Sequence, residues 1–316
     1  MRAALYQSVR ALSIGVARRL THACFVYAGP ERHILALDEI RYTAADNPEK
    51  RHYRPEKACA MSAYYNLIAR YYDIETADRT DDLVLYSELA GQYGGPIFDV
   101  GCGTGRVLLH LAQEGHKVHG IDSSRAMLDL LDNRLAALPH LAQYVSYTEG
   151  DILTYEDATL YPLMLLTYNA LMHFHDQDEQ IALLTKLRSL MKDDGLLIID
   201  LPNAGETFAT EDSDSLIFDR TFLDPETGHM VMLQSYSSLD RTMQLMQVDW
   251  IYDEITDDGT VRRTIAPHLL RYYFYPEIKL LLERTGFAVE AVYGDTEGNP
   301  FEDGCERMVI YATPTS

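Results

Sequence analysis

The run Phe98-Asp99-Val100-Gly101-Cys102-Gly103-Thr104-Gly105-Arg106 constrains this chain more than any other stretch. A short apolar segment, Pro96 to Val100, ends on three glycines, and an amphipathic segment from Val107 to Gln113 follows. That succession predicts a strand, a tight turn and a helix start. Glycines at 101 and 103 let the backbone turn sharply and approach a ligand where any Cβ would collide. The helix start beyond them offers unpaired N–H donors and a positive dipole end. Many nucleotide and flavin sites share such a turn, so its surroundings must discriminate. The dinucleotide pattern G-x-G-x-x-G wants glycine where this chain has Arg106, which weakens an NAD-dependent oxidoreductase. Asp99 stands at the strand end, where a carboxylate opposes a pyrophosphate and suits a ligand carrying an ammonium or sulfonium charge.

The turn sits inside an alternation of helix-like and strand-like segments. Helical spacing appears over 64–72 and 81–90, and Lys117 to Ile121 reads as a strand ending in Asp122. Ser123 or Ser124 can cap a helix over 126–138. Val145 and Tyr147 mark the next strand, and Leu163 to Tyr168 is the continuous apolar run of a buried parallel strand. A helix over 178–191 turns at Asp194-Gly195 into a strand over 196–201. Strands alternating with crossover helices predict an α/β, doubly wound, largely parallel sheet. Residues 203–275 break this rhythm. Four strand-like runs (217–222, 229–236, 244–252 and 260–273) joined by turn signals predict an antiparallel β-meander insert on the acceptor side. The α/β pattern resumes with a helix from Pro276 to Gly286 and strands over 287–293 and 307–312.

Charge divides the chain unevenly. The 316 residues hold 27 Lys/Arg against 48 Asp/Glu, a net of −21. Residues 1–60 carry ten basic and six acidic residues, a net of +4, and the other 256 carry 17 and 42, a net of −25. Acidity of this degree disfavours a nucleic-acid backbone as partner. Arg10, Arg18 and Arg19 interrupt every apolar run before Ala28, so neither a membrane span nor a signal peptide is expected there. We read 1–60 as a leader-like N-terminal extension, or as sequence ahead of a start at Met61, and 61–316 as the functional domain. Four scattered cysteines without a C-x-x-C pair suit a reducing, cytoplasmic setting and offer no metal-ligand spacing.

With those residues in view, the segment from Phe98 to Gly105 resembles motif I of the class I S-adenosylmethionine-dependent methyltransferases. Tyr64 to Asp73 is similar to the helix that covers the cofactor in the small-molecule branch of that family. Arg271-Tyr272-Tyr273, Pro276-Glu277-Ile278 and Gly286-Phe287 resemble its C-terminal segment, so the likeness spans about 61–312. It implies a Rossmann-like seven-stranded sheet whose last strand runs antiparallel, with S-adenosylmethionine as cofactor. Carried over residue by residue, Gly101, Gly103 and Gly105 approach the methionine portion and Asp99 helps hold its amino group. Asp122, 21 positions after Gly101, accepts hydrogen bonds from the ribose hydroxyls. Asp151 contacts the adenine amino group with Ile152 stacking nearby, and Asn169 and Leu171 line the site at the fourth strand end. Tyr64 and Tyr72 belong to the covering helix.

For chemistry, His173 is the candidate general base, since an imidazole titrating near neutrality can take an acceptor proton. His175, His268 and Arg271 are candidates for facing the acceptor. No cysteine or carboxylate cluster completes a metal set around His173 and His175, so no metal is expected. The expected activity is SN2 transfer of a methyl group to an N or O atom of a small molecule. A non-catalytic cofactor-binding or scaffold protein is the alternative. A nucleic-acid methyltransferase is disfavoured by charge and by Asn169-Ala170-Leu171-Met172 standing where Asn/Asp-Pro-Pro-Tyr would be.

Overall fold

The computed structural model describes residues 57–205 and 215–315. Almost all of the extension read over 1–60 therefore lies outside the described residues, and Met61 falls within the first helix. The elements in chain order are α1 (Lys57–Glu75), α2 (Asp81–Tyr93), β1 (Ile97–Val100), α3 (Arg106–Gln113), β2 (Val118–Asp122), α4 (Arg125–Ala137), β3 (Val145–Glu149), β4 (Tyr161–Leu166), α5 (Gln177–Leu190) and β5 (Met191–Pro202). Then come β6 (Ile217–Leu223), β7 (Met230–Asp240), β8 (Leu245–Ile255), β9 (Val261–Arg271), a helix we call α6 (Tyr275–Arg284), β10 (Phe287–Tyr293) and β11 (Arg307–Pro314).

Seven strands form one sheet in the order β10-β11-β5-β4-β1-β2-β3. The pairs among β1 to β5 are parallel, and β11 runs antiparallel to both β10 and β5. This is the doubly wound sheet that the alternation predicts, with the antiparallel last strand that the family resemblance implies. Period-two alternation explains why both faces need helices. Phe98, Val100, Met164, Leu166, Leu197 and Ile199 enter a core with Leu184 and Leu187 of α5 and Ile278 and Leu282 of α6. Their neighbours Ile97, Leu163, Leu165, Leu196 and Ile198 enter a second core with Leu108 and Leu111 of α3 and Leu128 and Leu131 of α4. Each fully buried Leu, Ile or Phe contributes roughly 1.5–3 kcal/mol, so these two layers dominate stability.

One boundary departs from expectation. β5 begins at Met191 rather than after Asp194-Gly195, and the register slips between Tyr161 and Leu163. Met191 is buried and pairs with Tyr161, so the strand starts early and accommodates the turn-prone residues as a bulge.

The insert forms its own antiparallel sheet, β6-β7-β8-β9, with Leu233 opposite Tyr252 and Trp250 opposite Ala266. Val231, Leu233, Tyr252 and Ala266 present an apolar face, and Tyr64, Ile68 and Tyr71 of α1 cover it. The covering helix is thus held by the insert's own small core. The expected strand over 260–273 stops at Arg271, because Tyr272 and Tyr273 turn inward and are buried. No helix among the described residues is long and apolar enough to cross a membrane.

Candidate cofactor and acceptor site

The glycine turn hangs from the end of β2. Gly101 and Cys102 both donate their N–H groups to the Ile121 carbonyl, at 2.8 and 3.1 Å. Gly101, Gly103 and Gly105 all take positive φ (79°, 54° and 81°), which L side chains rarely adopt. At Gly105 a Cβ would also stand 2.4 Å from Leu131 Cδ1, so glycine lets α4 close on the turn. Arg106, where a dinucleotide site has its third glycine, binds Asp82 of α2 through both terminal nitrogens at 2.6 Å and also donates to the Arg79 carbonyl. Its charge serves to fix α2 beside the turn.

Two carboxylates face this turn. Asp122 accepts the Gly103 N–H on Oδ2 and the Ser124 N–H on Oδ1, each at 2.8 Å. It therefore orients both the turn and the start of α4, while the Ser124 hydroxyl accepts the Met127 N–H as the helix cap. Burial pushes the Asp122 carboxyl above its ordinary range, although those backbone donors pull the other way. Asp99 is 2% exposed, and burial raises its carboxyl to about 7 against the pull of Arg106. A buried acid in that state gains charge when a cation arrives beside it. These two acids fit a ligand with vicinal hydroxyls and an ammonium group.

Helix α1 closes over the turn through residues that spacing alone did not mark. Asp73 accepts the Thr104 hydroxyl at 2.7 Å and pairs with Arg134 of α4 at 2.5 Å. Arg70 is held by Asp224 and by Glu254, the latter at 3.1 Å, and Glu254 also meets His229 Nδ1 at 2.7 Å. One end of the helix is therefore pinned to the cofactor turn and its middle to the insert. Tyr65 and Tyr72, with ring centroids 6.1 Å apart, both lie within electrostatic reach of Asp122 and of Tyr168.

Beyond β4 the chain turns sharply. Tyr168 and Asn169 take φ of 48° and 70°, an uncommon conformation for two consecutive side-chain-bearing residues. Strain of this kind, about 1–3 kcal/mol per residue, persists only where neighbours over-determine it. Asn169 donates its N–H to the Asp200 carbonyl and accepts from Arg307 on Oδ1 at 3.2 Å. Arg307 in turn binds the Asp200 carboxylate at 2.7 Å, and Arg79 lies over the Tyr168 ring at 4.5 Å. The antiparallel β11 thus supplies the cation that holds the strand end.

The expected histidines come together, in a different role. Tyr64 stacks on His268 at 3.8 Å, His268 on His173 at 5.2 Å, and the Tyr65 hydroxyl meets His173 Nε2 at 3.0 Å. Burial lowers His173 to about 4, so it is neutral at pH 7 and a poor proton acceptor. In this environment His173 packs and hydrogen-bonds behind Tyr65, which disfavours the general-base role expected of it. Burial lowers His268 as well, and its Nε2 is buried without a hydrogen-bond partner. His175 bonds the Leu269 carbonyl at 2.9 Å through Nε2. Arg271 is 6% exposed and is spent on Glu277 at 2.6 Å and on the carbonyls of His175 and Met243. These two residues clamp β9 to the strand end.

Three remaining candidates divide similarly. Asp151 is exposed and accepts the Leu153 N–H at 2.9 Å, an Asx turn, while Ile152 is buried beneath it. Leu171 has no exposed surface and packs in the core, so its side chain supports the strand end from below. Among the described residues no group of three or more His, Cys, Asp or Glu is arranged to hold a metal ion.

Residues 97–195 match a family model described as a methyltransferase domain. The chain is 25% identical over 218 residues to cypemycin N-terminal methyltransferase of a Streptomyces species, covering 69% of this chain and 82% of that one. Its fold is similar to that of the CcbJ methyltransferase from Streptomyces caelestis (TM-score 0.70, 23% identity, 80% of this chain and 98% of that one). It is also similar to CalS10 of Micromonospora echinaspora, an amino pentose methyltransferase with S-adenosylmethionine bound (TM-score 0.57, 18% identity, 78% and 97%). The matched residues contain the glycine turn and both of the acids that flank it. Residues 97–195 thus carry a methyltransferase domain, and the chain as a whole is similar in sequence and in fold to S-adenosylmethionine-dependent methyltransferases.

Proposed function

We propose that the protein transfers a methyl group to a nitrogen or oxygen atom of a small-molecule acceptor, at the C-terminal edge of the parallel sheet. One observation carries this reading. The Gly101–Gly105 turn, with buried Asp99 and half-buried Asp122, opens beneath a wall of tyrosines from α1, and that helix rests on the β6–β9 insert. The bound cofactor supplies a methyl group on a sulfonium sulfur, already a good leaving group. What the chain must add is alignment and exclusion of water, which can account for roughly 7–11 kcal/mol of a barrier. In this reading Asp122 receives the ribose hydroxyls and Asp99 the amino group. The covering helix and the strained Tyr168–Asn169 corner set the direction from which an acceptor approaches.

The relatives favour nitrogen over oxygen: one is an N-terminal methyltransferase, another an amino pentose methyltransferase. A neutral His173 points the same way, because a hydroxyl acceptor needs a base more than an amine does. The net charge of −21 argues for a small molecule over a nucleic acid. Incubating the protein with methyl-labelled cofactor and a metabolite extract, then fractionating, tests the reading. We expect label in compounds of low molecular mass; cofactor binding with no transfer would favour a non-catalytic scaffold.

A further inference from the structure

Helix α1, which carries the tyrosine wall, ends on a carboxylate to which the cofactor reading assigns no role. Glu75 closes α1, three helical turns after Tyr64 and on the same face. Its Oε1 is buried and faces the Tyr252 hydroxyl of β8, close enough for a weak interaction that lowers the Glu75 carboxyl but not in the geometry of a formed hydrogen bond, so neither atom has a full partner. Tyr64 and Tyr168 lie within electrostatic reach on the cofactor side. The charged groups around Glu75 are Arg220 and Asp219 of β6 and Arg79 after α1. Arg220 is paired with Asp219 at 2.7 Å and meets Glu75 only at its backbone carbonyl, at 3.5 Å. Arg79 lies over the Tyr168 ring. Neither cation forms an ion pair with the Glu75 carboxylate, and burial raises it to about 7.

A half-buried carboxylate with one oxygen shut away beside tyrosine hydroxyls is costly by itself and favourable once a cation is seated against it. We propose that Glu75, with Tyr64, Tyr168 and Tyr252, is the subsite for the amino group of an amine acceptor and receives the proton that nitrogen must lose. The proposal rests on the methyl-transfer reading above and names the acceptor class and the residue. An acceptor arriving as an ammonium ion gives one proton to the Glu75 carboxylate, and the freed nitrogen lone pair attacks the methyl carbon. The carbon–sulfur bond breaks with its electron pair going to sulfur, which leaves as a neutral thioether. The product is an N-methylated ammonium, and Glu75 passes its proton to solvent as product leaves. Charge and atoms balance with no further reactant.

Two probes of matched shape test this: cyclohexylamine and cyclohexanol, titrated calorimetrically into the full chain saturated with S-adenosylhomocysteine. We expect the amine to bind about tenfold more tightly, a difference of about 1.4 kcal/mol. The isosteric Glu75→Gln should erase that preference while leaving cofactor affinity unchanged. Carbon-13 NMR of carboxyl-labelled glutamates should show the resonance missing in Glu75→Gln titrating near neutrality in wild type and at lower pH when the amine is bound. Equal binding of the two probes, no detectable binding of the amine, or a preference that survives Glu75→Gln would overturn the proposal. Failure of the chain to bind S-adenosylmethionine would instead overturn the methyltransferase reading beneath it.

Discussion

The two ends of the tyrosine wall are built by different means. At the cofactor end, backbone does the positioning: three positive-φ glycines, two N–H groups on the Ile121 carbonyl, and Asp122 tying the turn to α4. At the acceptor end side chains do it, through Arg70 between Asp224 and Glu254, Tyr64 on His268, and Tyr71 stacked on Tyr252 at 4.8 Å. Backbone geometry tolerates few sequences, whereas a side-chain interface can be rebuilt. The cofactor end should therefore lose function abruptly on substitution and the acceptor end gradually.

The largest effect is expected at Asp122. Asp122→Ala frees the Gly103 and Ser124 N–H groups and, in the proposed reading, removes the acceptors for two ribose hydroxyls, a loss of about 3 kcal/mol or more. Calorimetry should show cofactor affinity falling at least about a hundredfold. A loss below about threefold would remove Asp122 from the site.

Stability should fall by about 3 kcal/mol for Arg307→Ala, which strands the buried Asp200 carboxylate and releases the Asn169 corner. Denaturant unfolding measures this. An unchanged midpoint would mean that the corner holds without β11. Gly120→Ala tests the cofactor end by packing, since its Cβ would lie 2.5 Å from Leu108 Cδ1 and 2.6 Å from Cys102 Sγ. We expect a cost of about 1–3 kcal/mol there.

Asp99 makes the cofactor end sensitive to pH. Its folded value of about 7 exceeds the ordinary 3.8, so the folded chain keeps a proton that the unfolded chain releases. Its contribution to stability therefore falls as pH rises from about 4 to 7, and a bound cation restores it. Cofactor affinity should accordingly weaken by up to about tenfold per unit below pH 7, with proton uptake or release seen in calorimetry across buffers. Affinity flat from pH 5 to 8 would contradict an Asp99–ammonium contact. The smallest effect belongs to His173→Gln, which keeps a partner for Tyr65 and should change the transfer rate by less than about tenfold. A larger loss would restore His173 as a base.

The same contrast explains what could be read from the sequence. The order of strands and helices, the glycine turn, Asp99 and Asp122 were legible because they follow local periodicity and short spacing. Glu75, Asp73 and Arg307 were not, because their roles depend on partners far along the chain: Tyr252, Arg134 and Asp200. His173 was legible as a site neighbour, whereas its lowered pKa was not, since that comes from burial in the folded chain. Arg271 invited an acceptor-facing role because no local pattern reveals that Glu277 and two carbonyls consume its charge.

The most direct test of the central claim is calorimetric titration of the chain with S-adenosylmethionine, S-adenosylhomocysteine and NAD. The account predicts saturable binding of the first two, sharply weakened by Asp122→Ala, and none of the third. Binding of NAD alone, or of all three without regard to Asp122, would contradict it.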